Sequence, residues 1–489
     1  MAHSRRVFSA AAIAAIATGA GFSVFVRAAP SVFPTGTTIY DPTKAWSGFT
    51  VLSPLGGDAA IVIDMNGNVV KRWEGYNSSA GGPVRILPGG VVIGATGANP
   101  GHQESLALVA RDFDGKELWR FDRNEHVTGR GGESVAALRQ HHDWQRDDFP
   151  AGYFSPGVSP ALSNAGVKTL IVTHTTHSQA AVAGDNNLED DRIIEIGPDG
   201  AVTWQWLVSD HIEEFHFDKE ARAAIHRGAP GRGPQAGGGG GRGPAEGRGG
   251  SEGRGGPGRG GFDWFHMNSA TYVGPNHWYD SGDKRFAPDN VIVSSRAASI
   301  VAIIARDGKI VWQIGPDYSA TPELRAIRQV IGQHNAHFIP KGLPGAGDVM
   351  IFDNGGASGY GPVSPVAPEG QNIFARPTSR VLEIDPVTLK LVWSYTAPAF
   401  FATNISGAQR LLNGDTLITE GPDGRVFEVT REGTIVWEYV YPVFTSGRGR
   451  PTNSVYRAYR LPYDWIPQLA KPRETPVTPP NFGDRLLNP

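Results

Sequence analysis

The chain has 489 residues, and its 45 basic against 48 acidic side chains leave a formal net charge of -3, a balance that argues against nucleic acid as its main partner. With no cysteine, it has no disulfide framework, thiol nucleophile or thiolate metal site. The 64 glycines and 37 prolines are high enough to require both many tight turns and a low-complexity insert.

The N-terminus reads as an export leader. Ser4-Arg5-Arg6-Val7-Phe8 looks like a twin-arginine pattern, and a weakly hydrophobic run from Ser9 to Val26 follows it. Small side chains at Val26-Arg27-Ala28 place cleavage after Ala28, so residues 1–28 are expected to be removed. No later stretch is long and apolar enough to span a bilayer. The expected location is therefore periplasmic or secreted, with no membrane contact once the leader is cleaved.

Six segments then share one pattern: an alternating apolar strand, a turn, and a second strand bearing tryptophan. They are Ile61 to Trp73, Leu106 to Trp119, Ile193 to Trp204, Ile300 to Trp312, Val381 to Trp393 and Val426 to Trp437. Each reads as a β-hairpin, with Gly or Asn supplying positive φ at the turn; Pro386 and Thr388 build the turn of the fifth copy, which lacks glycine. The tryptophans are expected between blades rather than against a ligand. A second repeated element precedes the hairpins, clearest at Val84-Arg85-Ile86-Leu87-Pro88 and Gln409-Arg410-Leu411-Leu412-Asn413. It leads to a further strand in each unit, making four strands per unit.

The first hairpin has no such inner strand ahead of it, and the C-terminus has one spare, Tyr456 to Pro462. An all-β, six-bladed β-propeller closed by the C-terminal strand completing the first blade explains both facts. The catalytic propeller is expected over residues 29–465, followed by a Pro-rich tail over 466–489. Within it, residues 227–261 form a Gly/Arg/Pro tract that cannot bury a core and is expected to be disordered. Glu213 to Ile225 and Pro322 to Ile331 read as short helices.

In a propeller the innermost strands line the channel, so residues at their starts meet at one mouth. His142 (or its neighbour His141), His266 with Asn268, and His334 with Asn335 and His337 start the inner strands of three consecutive blades. His174 and His177, Arg296, and Asp353 with Asn354 end the strands that follow. Imidazoles, a guanidinium and amides with few carboxylates suit an anionic substrate group. No metal centre or cofactor is expected, because His334 and His337 point to opposite faces of a strand. His337 aligns with Arg85 and Arg410 and reads as structural. Trp144, Trp264, Phe265 and Tyr360 are candidates either for stacking on an aromatic ligand or for packing.

At Gln333-His334-Asn335-Ala336 leading to Ile351-Phe352-Asp353-Asn354-Gly355, at Phe265-His266-Met267-Asn268-Ser269 and at Val293-Ser294-Ser295-Arg296, the sequence resembles the bacterial arylsulfotransferases, exported six-bladed propellers. The resemblance implies transfer of a sulfuryl group from a phenolic sulfate to a phenol acceptor. It would pass through a sulfohistidine by a ping-pong route, with no nucleotide sulfate donor. It implies His334 as nucleophile, His266 as acid/base, Asn268 and Arg296 as binders of the sulfate oxygens, and His142 as a further sulfate-binding histidine. Two other readings compete: a quinone-dependent dehydrogenase-like propeller, which usually needs eight blades and a calcium site, and a propeller that binds a ligand without chemistry.

Overall fold

The tryptophan hairpins form the outer halves of six four-stranded antiparallel sheets arranged in a ring. A computed structural model of the chain describes residues 35–98, 103–128, 133–157, 167–184, 187–228, 262–446 and 451–478. The predicted leader, most of the Gly/Arg tract and the last residues of the tail lie outside them. From the channel outward, blade 2 runs Arg85–Leu87, Val91–Thr96, Ala107–Arg111 and Glu117–Phe121, and blade 3 runs Gln140–Arg146, Thr169–Ser178, Asn187–Ile196 and Val202–Leu207. Blade 4 runs Met267–Tyr272, Val291–Ser295, Ile300–Ile304 and Ile310–Ile314, and blade 5 runs His334–Phe338, Val349–Asp353, Arg380–Ile384 and Leu391–Tyr395.

The ring closes as the strand count requires. Val455–Leu461 pairs antiparallel with Phe49–Pro54, setting Leu461 opposite Phe49 and Tyr459 opposite Val51, and so forms the inner strand of blade 1. Blade 6 (Gly407–Arg410, Thr416–Glu420, Arg425–Val429 and Ile435–Val440) carries a strand the sequence pattern did not announce. Gly36–Tyr40 lies along its outer edge, so both chain ends contribute to closure. The six blades fall short of the eight that the quinone-dependent reading needs.

The second strands are sandwiched between neighbouring blades and are buried, as in Val349–Asp353, save for the last four residues of Thr169–Ser178 in blade 3. Outer strands such as Leu391–Tyr395 bury little besides their last residue. Radial packing demands this gradient, because only the outermost strand has a solvent side. The repeated tryptophan stitches the blades together. The indole Nε1 of Trp73 donates to the Asp112 carbonyl at 3.0 Å, Trp204 to Arg306 at 3.1 Å, Trp312 to Pro386 at 2.8 Å and Trp393 to Arg431 at 2.8 Å. Trp437 donates to Met65 at 2.8 Å and closes the ring. Every acceptor is a turn carbonyl of the next blade, and, except for Asp112, which also accepts the Gly115 N–H, one that its own hairpin leaves unpaired.

The helices are shorter than expected. A ten-residue helix covers Lys219–Gly228, and the residues before it turn instead of continuing it; Pro322–Ile327 is the other. The beginning of the C-terminal tail is docked: Val477 and Tyr40 exchange backbone hydrogen bonds of 2.8 and 3.0 Å. Among the described residues, no helix is long and apolar enough to cross a membrane.

Candidate active site

In blades 3, 4 and 5, as in the closing strand of blade 1, the inner strand begins with a shift of register against its neighbour. A bulge re-aims the side chains beside it. Here it comes with left-handed backbone at His142 (φ 56°), His266 (φ 54°) and Asn335 (φ 54°), at a cost of about 1–2 kcal/mol per residue. The ladders refine the expected correspondence. Gln140 faces Thr173, Met267 faces Ser295 and His334 faces Phe352, so the position equivalent to His334 is His141 in blade 3 and Asn268 in blade 4. His142 and His266 reach the same mouth from different registers because the bulges turn them there.

His334 is almost wholly buried, and its tautomer is set by its neighbours. Its Nδ1 lies 2.8 Å from Asn354 Oδ1 and 3.1 Å from the Gly332 carbonyl. Asn354 Nδ2 donates to the Ala402 and Ile405 carbonyls at 2.9 and 3.2 Å, which fixes the amide with its oxygen toward the histidine. Two acceptors therefore face Nδ1, so the proton sits there and Nε2 keeps its lone pair. Burial, the Arg296 guanidinium and Arg457 hold the His334 pKa well below the ordinary histidine value, with Asn354 opposing them. The ring is neutral at neutral pH.

His266 is fixed by Asp263, three residues before it. One Asp263 oxygen accepts the His266 backbone N–H at 3.0 Å, and the other lies 2.5 Å from Nδ1. Burial raises the Asp263 carboxyl, but the neighbouring His266 outweighs this and holds it at about 2. His142 packs edge-on against His266, with ring centroids 4.8 Å apart. Burial, and then the neighbouring imidazoles of His266, His141 and His334, which disfavour a further proton, keep His142 well below its ordinary pKa. His142 thus belongs to the mouth, whereas His141 turns the other way, stacking on His174 at 3.7 Å.

Arg296 follows the second strand of blade 4, where its backbone N–H donates to the His266 carbonyl at 3.1 Å. Asn268 Nδ2 donates to the Gln333 carbonyl at 2.6 Å, tying blade 4 to blade 5 immediately before His334. Three expected substrate binders have other tasks. Asp353 is held by Arg376 at 2.9 Å and Arg380 at 2.5 Å and accepts the Ile331 N–H. Asn335 Oδ1 accepts the Ala408 N–H of blade 6. Asn354 positions His334.

His337 uses both ring nitrogens, one with the Asn335 carbonyl at 2.8 Å and one with the Tyr153 hydroxyl at 3.0 Å, as befits a structural residue. Trp144, Trp264 and Phe265 are fully buried, and the two indoles donate to Pro83 O and Asp190 Oδ1. The Tyr360 hydroxyl donates to the Trp264 carbonyl. All four are packing residues.

The expected scarcity of carboxylates does not hold. Glu104, Glu189, Asp190, Asp191 and Asp263 all gather on the blade 3 and 4 side. The third strand of blade 3 and the loop before blade 4 bring most of them in, and neither belongs to the inner-strand repeat. Glu104, Glu189 and Asp191 outweigh the effect of burial on His174 and push it up to about 9. Burial, and then Asp263, raise Asp191 to about 7. Deeper in the channel Arg85 pairs with Asp143 at 2.8 Å, and Arg457 on the closing strand lies 3.7 Å from the same carboxylate. Asp263 and Arg457 had escaped the sequence reading. Asp263 had a local signal, an aspartate placed to accept the N–H three residues on, but Arg457 had none.

These groups can hold an anion beside a neutral nucleophilic imidazole and a second imidazole backed by a carboxylate. Among solved structures, the chain is similar to a protein of unknown function from Bacteroides caccae, with 12% identity over 85% of this chain and 98% of that chain and a TM-score of 0.40. It is also similar to a streptogramin B lyase (11% identity, 88% and 91% covered, TM-score 0.33) and a europium-containing methanol dehydrogenase (12% identity, 81% and 80% covered, TM-score 0.31). At these scores none of the three bears on what this protein does. Nothing among curated proteins matches the sequence. The sequence profile described as "Arylsulfotransferase (ASST)" matches residues 162–436, a span of more than half the chain that includes His266, Arg296 and His334. The chain belongs to the arylsulfotransferase family.

Proposed function

We propose that the protein transfers a sulfuryl group from a phenolic sulfate to a phenol in two displacements through a sulfo-His334 intermediate, without a nucleotide sulfate donor. The observation that carries this reading is the pair of acceptors on His334 Nδ1, which leaves Nε2 as a free lone pair on a neutral ring. In the first step Nε2 bonds to sulfur while the S–O(aryl) bond breaks. The electron pair leaves on the phenolate oxygen, which takes a proton from His266. Asp263 accepts the Nδ1–H of His266, so Nε2 is the nitrogen that exchanges this proton, and the Asp263 carboxylate carries the counter-charge of the acid form.

In the second step an acceptor phenol gives its proton to His266 and attacks sulfur, and the N–S bond breaks. A covalent intermediate divides one transfer into two easier ones, and a positioned acid contributes about 10²–10⁴-fold when the leaving phenol is poor. Arg296 and Arg457 supply fixed positive charge near His334, and charge preorganised toward the sulfuryl oxygens favours the transition state. Mass spectrometry of protein quenched with a chromogenic aryl sulfate and no acceptor should find one SO₃ on the peptide carrying His334. Acceptor-dependent phenol release that persists in His334→Ala would refute the assignment. We further propose export to the periplasm or beyond with cleavage after Ala28; a mature chain retaining Met1 in the exported fraction would contradict it.

A further inference from the structure

Behind His142, on the side away from His334, lies a cluster of side chains that sulfuryl transfer does not use. His141, His174 and Asp191 come from three adjacent strands of blade 3, with His174 and Asp191 directly paired in the ladder. All three are buried. His141 Nε2 is 3.2 Å and His174 Nε2 3.7 Å from Asp191 Oδ1. Two ligands bonded at about 2.0–2.1 Å to a tetrahedral ion sit about 3.3–3.4 Å apart, so these separations bracket a coordination edge. The rings stack at 3.7 Å with planes 18° apart, and a small opening of the stack brings both nitrogens onto one ion.

Two independent features mark the cluster as built for a ligand. His141 Nε2 and Asp191 Oδ1 are buried with no hydrogen-bond partner, a state that costs about 1–3 kcal/mol per group when nothing fills the site. The opposite atom of every candidate ligand is already held. His174 Nδ1 lies 3.0 Å from Glu104 Oε1, which Arg139 clamps at 2.7 Å. Asp191 Oδ2 accepts the Met267 N–H at 2.8 Å, and His141 Nδ1 lies 2.8 Å from His142 Nδ1. A carboxylate on the far nitrogen of a ligating histidine is the usual outer-shell partner of a metal site. We propose that His141, His174 and Asp191 bind one divalent ion of the zinc class. Two imidazoles and one carboxylate suit zinc or cobalt and not calcium or magnesium. The overlapping group Glu104, His174 and Glu189 is the weaker candidate, because Arg139 already occupies Glu104.

The ion has a consequence for the active site, and this part alone rests on the sulfuryl-transfer reading. An ion on His141 Nε2 confines that ring's proton to Nδ1, which then donates to His142 Nδ1. The His142 proton moves to Nε2, which becomes a donor for a sulfuryl oxygen. With His141 instead keeping its proton on Nε2, directed at Asp191 Oδ1, the relay reverses: His141 Nδ1 accepts from His142 Nδ1–H, and His142 Nε2 presents a lone pair that repels the anion.

The test uses the mature chain without a histidine tag, stripped with a chelator and titrated with cobalt(II). We expect visible ligand-field bands of a four- or five-coordinate site that saturate at one equivalent and are displaced by zinc. His174→Gln and Asp191→Asn should abolish the bands, Glu104→Gln should weaken binding roughly 10- to 100-fold, and His334→Ala should leave it unchanged. Absence of the bands in the wild-type chain, or their survival in both His174→Gln and Asp191→Asn, overturns the proposal. No substrate is present, so this result and the sulfo-His334 measurement fail separately.

Discussion

Replacing Asn354 with alanine tests the claim that tautomer control makes His334 the nucleophile. The side chain is fully buried, lies outside substrate reach in this reading, and acts through one hydrogen bond of 2.8 Å to Nδ1. While His334 is neutral that bond contributes about 0.5–1.5 kcal/mol; as the ring becomes a sulfo-imidazolium it joins a cation and contributes about 1.5–3 kcal/mol. The difference, about 1–1.5 kcal/mol, is gained only on the way to the intermediate, and at 1.36 kcal/mol per tenfold it predicts a roughly 5- to 13-fold fall in kcat/KM. The Gly332 carbonyl remains at 3.1 Å, so the loss stays far short of that in His334→Ala. The Ala402 and Ile405 carbonyls lose their donor, so kinetics are compared below the melting transition, with circular dichroism confirming the fold. Asn354 raises the His334 pKa, and its removal moves the acid limb of kcat/KM to lower pH. Aryl sulfate turnover within twofold of wild type, or an acid limb that moves upward, would refute the reasoning.

Asp263→Asn removes the counter-charge from His266 and should slow transfer from sulfates of poorly acidic phenols far more than from nitrophenyl sulfate; an equal loss for both leaving groups would count against His266 as the acid. Burial holds His337 down at about 4, below its unfolded value near 6.5, so its contribution to stability is complete above pH 6.5 and is lost as pH falls from about 6.5 to 4. At 1.36 kcal/mol per unit this amounts to about 3 kcal/mol. In urea titrations across that window, His337→Gln should flatten the pH slope relative to wild type, and parallel slopes would contradict the assignment. Trp437→Phe removes one of two donors to the Met65 carbonyl at the ring closure, leaving Thr37 Oγ1 at 3.2 Å, and should lower stability by about 0.5–1.5 kcal/mol in urea unfolding while leaving the KM for an aryl sulfate unchanged.

Much of the architecture was legible because a propeller repeats its instructions. Six alternating strands, each followed by a turn and a tryptophan, specify six hairpins. One missing and one spare inner strand specify how the ring closes, and Leu461 opposite Phe49 realises it. Gly36–Tyr40 was not legible, since an edge strand added outside the repeat has no partner pattern to match. The helix at Lys219–Gly228 began later than its composition implied, because turn residues before it were read as helical.

For the site, the chain alone determined which residue types could meet at the mouth, and His142, His266, Arg296 and His334 follow from the order of strand ends. It could not determine which way each points. The inner-strand bulges shift register by whole residues, and a shift of one residue in a strand exchanges its two faces. Tertiary structure therefore decided that His142 and not His141 packs on His266, that Asn354 serves His334, and that Asp353 belongs to Arg376 and Arg380. It also brought in Glu104 and Asp191 from outside the inner-strand repeat, and Arg457 from the closing strand. Local periodicity fixes a strand's faces, but charge partners across a channel depend on which blades stand opposite one another, and only the closed ring sets that.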